Sequence, residues 1–164
     1  MRRRMLLPWC LPALLLAAAS CLPCAMAGYA FADGGQLRTA MREWLSSETS
    51  ARAKYGPIGS WDTSNVTKMQ KLFVDDYFDQ NIGMIKLEPF EGAAAFNQNI
   101  GAWDTSKVTA MRDMFNGAAV FNQDISTWNT SKVTAMSRMF REAAAFNQNI
   151  GAWDTSKVRD VSSM

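Results

Sequence analysis

The chain has 164 residues, of which 48% are hydrophobic, so it is long enough to bury the core of a single domain. Its formal net charge of +2 gives no basis for strong electrostatic attraction to nucleic acid. The sequence contains no histidine, which excludes a Ser-His catalytic triad and a histidine-ligated metal site.

The segment 1–27 predicts export from the cell. Three arginines at 2–4 precede an apolar run over 5–19, and the small-residue pattern Ala-Met-Ala follows at 25–27. This is the layout of a secretory signal peptide, and we expect cleavage after Ala27. A membrane-spanning anchor is the alternative, but the run contains prolines and is shorter than the roughly 20 residues that cross a bilayer. We therefore predict a secreted or cell-surface protein without a membrane span in the mature chain.

All three cysteines lie within this segment, at Cys10, Cys21 and Cys24. Cleavage after Ala27 would leave a mature chain with no cysteine and no disulfide, although the compartment would permit one. The run Ala-Ala-Ser-Cys ending at Cys21 resembles a bacterial lipoprotein cleavage site, where a larger aliphatic residue is usual at its first position. Lipidation at Cys21 is therefore an alternative that would anchor the protein to a membrane.

The segment 28–60 predicts a helical N-terminal cap. Asp33 is placed to cap the first helix, and a second short helix over 47–55 ends before a Gly-Pro pair. The first helix has one apolar face at helical spacing, formed by Leu37, Met41, Trp44 and Leu45. A stack of repeats needs a terminal unit to cover its open core, which favours a cap over a membrane-surface helix.

From Trp61 onward the sequence repeats itself with a period of 25 residues. Near-copies begin at Trp103, Trp128 and Trp153, and an earlier copy begins at Trp61. The spacing from Trp61 to Trp103 exceeds the period by 17 residues, which indicates an insertion or a degenerate unit at 74–90. The sequence therefore predicts a stack of similar units over 61–164.

Each unit predicts one short strand followed by one short helix. Alternate residues around Trp128 share a face as they would on a strand. Helical spacing follows at Val133, Met136, Met139 and Phe140, and it recurs from Val108 to Ala118. This pattern favours an α/β repeat solenoid, with a parallel sheet on one side and helices on the other, over an all-β solenoid.

The repeat W-D/N-T-S-x-V-T-x-M-x-x-M/L-F, followed by G/E-A-x-x-F-N-Q-x-I, resembles the BspA-like leucine-rich repeat surface proteins. The resemblance covers about 61–164, and the lead-in over 37–57 is similar to the entry segment of such proteins. It implies a leucine-rich-repeat-like solenoid, secreted or displayed on the cell surface, that makes adhesive or recognition contacts and has no enzymatic activity. The insertion at 74–90 and the stop at Met164 depart from the family pattern.

Recurring aromatic and amide residues have both a structural and a functional interpretation. The tryptophans could form a sugar-stacking platform, but aromatic residues recurring in register are typical of a solenoid core. The Asn-Gln pairs could read a ligand, but inside a stacked turn their amides would pair with backbone groups of adjacent units. These pairs are Asn97-Gln98, Asn122-Gln123 and Asn147-Gln148.

Two polar rows form the candidate binding strip. One row lies one residue after each tryptophan, on the outward side of the predicted strand, and the other lies four residues after it. We predict that the strip binds a protein or a polymeric glycan on a cell surface or matrix, with a solvated face as the alternative. Calcium along the acidic row is disfavoured because its sites need several oxygens close together. The strip comprises Asp62, Asp104, Asn129, Asp154, Lys107, Lys132 and Lys157.

No motif predicts an enzyme, a cofactor or a bound metal. The chain has no glycine-rich phosphate loop and no dinucleotide fingerprint, and the adjacent acids Asp75 and Asp76 are typical of a solvated loop. We therefore predict a non-catalytic binding or adhesion module. Asn65 and Asn129 lie in sequons and are candidate N-glycosylation sites in a eukaryotic secretory pathway.

Two alternatives to a binding module stay open. Met164 stops the last copy before its Phe and Asn-Gln segment, so an uncapped end could support self-association into a wall or matrix component. The chain could instead be a fragment of a longer surface repeat protein, since few complete repeats are present.

Overall fold

Two helices open the computed structural model, which describes residues 28–164 apart from the side chain of Phe78. Helix α1 spans Gly34–Ser46 and helix α2 spans Glu48–Tyr55. Asp33 caps α1, because its Oδ1 accepts a hydrogen bond from the N–H of Gln36 at 2.8 Å. Helix α1 buries Leu37, Ala40, Met41 and Trp44. The predicted signal segment, its cleavage site and its cysteines lie outside the described residues.

Successive repeats are joined by backbone hydrogen bonds between equivalent positions. Isolated parallel bridges link Lys68 to Ala110, Ala110 to Ala135, and Ala135 to Asp160. Beside them, every second N–H donates to a carbonyl 24 positions later. These bonds run from Met111 to Ala135 at 2.9 Å, Asp113 to Ser137 at 3.0 Å, Phe115 to Met139 at 2.8 Å and Gly117 to Arg141 at 2.9 Å. Neighbouring units therefore lie side by side, and the repeat sets their register.

The segment from Val108 to Ala118 differs from its prediction, because it contains turns and no α-helix. Four of its eleven N–H groups donate to the next unit, whereas a helix requires donation to the carbonyl of the fourth residue back. Asp113 also has a φ of 54°, which an α-helix does not accommodate. All six residues over 113–118 are buried, so the apolar spacing does not mark one face.

The segment 74–90 contains an antiparallel hairpin. Strand β1 spans Val74–Asp79 and strand β2 spans Met84–Pro89, with Val74 paired to Pro89 and Asp79 paired to Met84. The hairpin returns the chain to the array, where the N–H of Phe90 donates to Phe73 O at 2.8 Å. The repeat period locates this segment at 74–90, but the later units contain no equivalent hairpin from which its conformation could be predicted.

Aromatic side chains from successive units stack within one buried core. Trp61 and Trp103 stack with ring centroids 6.0 Å apart, and Trp128 and Trp153 stack at 6.5 Å. A second column has the same 6.0 Å spacing and contains Phe96, Phe121 and Phe146. The tryptophans are at most 7% exposed, so their ring faces contact other core groups and are not presented to solvent.

Candidate binding surface

The residues of the candidate binding strip are exposed, while the tryptophans before the acidic row and three of the four threonines after it are buried. Each tryptophan precedes the row, and a threonine follows it. Thr63, Thr105 and Thr130 are at most 2% exposed. This in–out–in alternation places one polar side chain per unit on the surface. The exposed members are Asp62, Asp104, Asn129, Asp154, Lys107, Lys132 and Lys157.

A threonine ladder aligns the acidic row from unit to unit. The hydroxyl of each threonine donates to the main-chain carbonyl of the acidic or amide residue in the next unit. The three bonds are Thr63 to Asp104 at 3.0 Å, Thr105 to Asn129 at 3.1 Å and Thr130 to Asp154 at 3.0 Å. This role of the threonines was not predicted from the sequence. A threonine recurring two residues after every tryptophan is the signal that would have revealed it.

Each side chain of the acidic row also closes its own turn. Asp104 Oδ1 accepts the N–H of Ser106 at 2.8 Å, and the same contact recurs in each unit. This backbone hydrogen bond is the main cause that lowers the pKa of Asp62 and of Asp104. A hydrogen bond with Ser156 lowers the pKa of Asp154. The row therefore carries fixed negative charges at neutral pH.

The lysine row lies close enough to the acidic row to act on it electrostatically. The positive charges of Lys107 and Lys132 contribute to the lowered pKa of Asp104. Lys107 Nζ donates to Asn65 Oδ1 of the preceding unit at 3.1 Å. With three aspartates and three lysines, the strip presents both signs of charge and no net charge.

Both predicted sequon asparagines are exposed, and both amides already accept hydrogen bonds. Asn65 accepts the bond from Lys107 described above. Asn129 Oδ1 accepts the N–H of Ser131 at 3.1 Å and its hydroxyl at 2.7 Å. Cys21, the alternative lipidation site, lies outside the described residues.

The Asn-Gln pairs join adjacent units, as their structural interpretation predicts. Asn97 Oδ1 accepts the N–H of Asn122 and the Nε2 group of Gln123, both at 2.9 Å. Asn122 Oδ1 accepts the N–H of Asn147 at 2.9 Å and Gln148 Nε2 at 3.0 Å. The amides therefore satisfy backbone and side-chain groups between units.

An ion pair with a buried carboxylate links two units at equivalent repeat positions. Asp113 is fully buried, and its carboxylate accepts Arg138 Nε at 2.8 Å and Nη2 at 3.1 Å. Asn116 Nδ2 donates to the same carboxylate at 3.2 Å. The bonds that Arg138 donates raise its pKa above the usual value. The sequence offers one sign of this pair, since Asp113 and Arg138 carry opposite charges and lie 25 residues apart. The residue type at this repeat position varies between copies, so no charge pattern recurs.

No arrangement for metal binding or membrane crossing is found in the described part of the chain. Within residues 28–164, no group of three or more His, Cys, Asp or Glu side chains is placed to hold a metal ion. The helices in this range are too short or too polar to span a bilayer.

Comparison with known proteins gives a family match in two parts. The family described as "Mycoplasma protein of unknown function, DUF285" matches residues 39–89 and 86–164. No curated protein and no solved structure matched the chain. The first match ends with the hairpin, and the second covers the three copies that begin at Trp103, Trp128 and Trp153. Since the matched ranges cover more than half of its length, the chain belongs to the DUF285 family.

Proposed function

We propose that the chain is a secreted or cell-surface repeat protein that acts as a non-catalytic protein- or glycan-binding module. The observation that carries this proposal is the exposed, in-register strip of aspartates and lysines over a buried aromatic core. Solenoid repeat proteins bind partners along such extended rows. The sequence resemblance to the BspA-like leucine-rich repeat surface proteins supports the same role for this member of the DUF285 family.

The proposed architecture is a repeat solenoid whose units consist of turns and isolated parallel bridges. The bonds between equivalent positions support it, because each unit satisfies the backbone of its neighbour. Helices α1 and α2 would be its N-terminal cap. Trp44 of α1 packs edge-on against Trp61, with ring centroids 5.6 Å apart, and this contact covers the first tryptophan of the array.

Export is proposed from the sequence of the first 27 residues, with cleavage after Ala27 and lipidation at Cys21 as the alternative. A secreted binding module has no need of a catalytic group. The aspartates of the strip are exposed, and their carboxylates accept hydrogen bonds within turns, which supports a non-catalytic role.

The charge pattern of the strip indicates the kind of binding to expect. Exposed ion pairs contribute roughly 0 to 1 kcal/mol each, so one unit alone would bind weakly. Several units in register present the same contact repeatedly, and binding at one raises the effective concentration at the next. A partner with a repeated polar pattern, such as a polysaccharide or an extended protein surface, would therefore bind best.

The test compares the protein, purified from expression of the full chain, with a strip variant on an array of polysaccharides and extracellular-matrix proteins. The variant combines Asp104→Asn, Lys107→Gln and Lys132→Gln. Asparagine stands naturally in this row at Asn129 and closes the same turn, so the fold should be retained. Arg52→Gln is the control, because this exposed arginine lies on α2.

Binding that is lost in the strip variant and retained in the control would support the proposal. Equal binding by the variant and the parent protein would refute it. Sedimentation at increasing protein concentration separates the self-associating alternative, for which the mass would rise with concentration even when no array component is bound.

A further inference from the structure

The outer edge of β2 presents backbone groups that the hairpin does not use. In an antiparallel pair, residues that exchange hydrogen bonds alternate with residues that do not. Phe90 donates to Phe73 at 2.8 Å, so the register makes Glu88 and Lys86 inward-facing members of β2. Ile85 and Leu87 therefore direct their N–H and C=O groups away from β1.

The opposite edge of the hairpin supports this assignment. Val74 is an outward-facing residue of β1 by the same alternation, and its carbonyl accepts Arg38 Nη2 of α1 at 2.6 Å. The β1 edge is thus covered at its base. On the β2 edge, no backbone hydrogen bond outside the hairpin involves Ile85 or Leu87 within residues 28–164.

A groove of about 480 Å³ separates this edge from the repeats. Ile85, Leu87 and Pro89 line one wall, and Arg112, Arg138 and Arg141 from two successive units line the other. The three guanidinium side chains are 45%, 37% and 53% exposed, so they are accessible from the groove. The groove therefore places an unpaired strand edge opposite a cationic wall.

Arg112 and Arg141 each form a weak ion pair within the protein. Arg141 contacts Glu142 at 3.4 Å, and Arg112 contacts Asp160 at 3.3 Å, each through one nitrogen. An arginine offers five N–H donors, so both can bind an added carboxylate. Arg138 is different, because it is bidentate to the buried Asp113 and holds that carboxylate in place.

We infer that this groove binds an extended acidic peptide, which adds to β2 as a third strand and places its carboxylates against Arg112 and Arg141. Main-chain bonds to Ile85 and Leu87 would provide affinity, and alternate side chains would provide specificity. Pro89 has no N–H and limits the added strand to the distal part of β2. The strand edge favours a peptide over an acidic glycan, which has no backbone amide groups to pair with it.

The test measures fluorescence anisotropy of labelled seven-residue peptides against protein purified from expression of the full chain. One peptide alternates valine and glutamate, a second alternates valine and lysine, and a third is the glutamate peptide with alternate amides N-methylated. We expect the glutamate peptide to bind, with affinity that falls as salt is added. We expect no binding of the lysine peptide, and about tenfold weaker binding of the methylated one.

Variants of the protein test each wall separately. Arg112→Gln with Arg141→Gln should weaken binding of the glutamate peptide about tenfold or more. Leu87→Pro removes one outward N–H of β2 and should abolish binding of the glutamate peptide. Arg52→Gln on α2 should leave this binding unchanged. The strip variant of the preceding section should also leave binding of the glutamate peptide unchanged. The proposals for the groove and for the strip can therefore be refuted independently.

Three results would overturn the inference. The first is equal binding of the methylated and unmethylated glutamate peptides, a comparison that uses the unaltered protein and so does not depend on the folding of any variant. The second is displacement of the glutamate peptide by heparin with no effect of Leu87→Pro, which would indicate a polyanion site. The third is concentration-dependent dimerisation that blocks all three peptides, which would mean that a second copy occupies the groove.

Discussion

Replacing Arg138 by methionine should destabilise the protein through the carboxylate that it leaves behind. Methionine keeps an unbranched apolar stem but removes the two bonds to Asp113 at 2.8 and 3.1 Å. Asp113 is fully buried and would retain only the contact from Asn116 at 3.2 Å. Breaking a buried ion pair from one side typically costs about 3 to 5 kcal/mol. Arg138 is 37% exposed, so water can replace part of the loss and we expect about 3 kcal/mol.

Urea unfolding followed by tryptophan fluorescence measures this loss. In thermal unfolding we expect the melting temperature to decrease by about 10 °C. Adding Asp113→Asn to Arg138→Met should recover part of the stability, because the orphaned group is then neutral. Arg141→Met is the matched control and should cost less than about 0.5 kcal/mol, since its ion pair is exposed. If Arg138→Met costs no more than Arg141→Met, the pair is not buried and the assigned contact is wrong.

Three further changes test the repeats and the hairpin. Hydrogen bonds in its turn lower the pKa of Asp104 below 3.8 in the folded chain, so the stability they provide is present above about pH 4 and is lost as pH falls through the lowered value. Asp104→Asn should flatten this acid dependence, measured as urea midpoints from about pH 5 to pH 2. Thr105→Val should cost about 1 kcal/mol by removing its bond to the next unit, whereas exposed Thr127→Val should cost less in the same assay. Gly117→Ala should cost about 2 kcal/mol, because its φ is +81° and an added Cβ would lie 2.5 Å from the proline that ends β2. Gly83→Ala, with a φ of +64° and open space around it, should cost only about half as much.

The contacts between equivalent residues could be predicted from the sequence, because residues one repeat apart along the chain lie side by side in adjacent units. Trp61 and Trp103 are separated by an insertion, yet their rings stack at 6.0 Å. The amide ladder was also predictable, since an amide that recurs in stacked turns can donate to and accept from groups of the adjacent units.

Backbone conformation between these contacts could not be read from the same pattern. Val108 to Ala118 shows apolar spacing typical of a helix, but every second N–H from Met111 to Gly117 bonds to the next unit, which no single copy reveals. The arginines of the groove belong to different repeat positions, and only folding brings Arg112 and Arg141 opposite β2. These arginines do not recur at one position of the repeat, so the sequence pattern does not predict the groove.

Equivalent positions of adjacent repeats are joined in register, and this alignment places the polar strip on the surface. NMR scalar couplings across hydrogen bonds identify donor and acceptor directly. We expect couplings from the N–H of Phe115 to the carbonyl carbon of Met139, and from the N–H of Met111 to the carbonyl carbon of Ala135. Couplings from these donors to carbonyls four residues earlier in their own unit would indicate helices and would show that the units are not joined in this way.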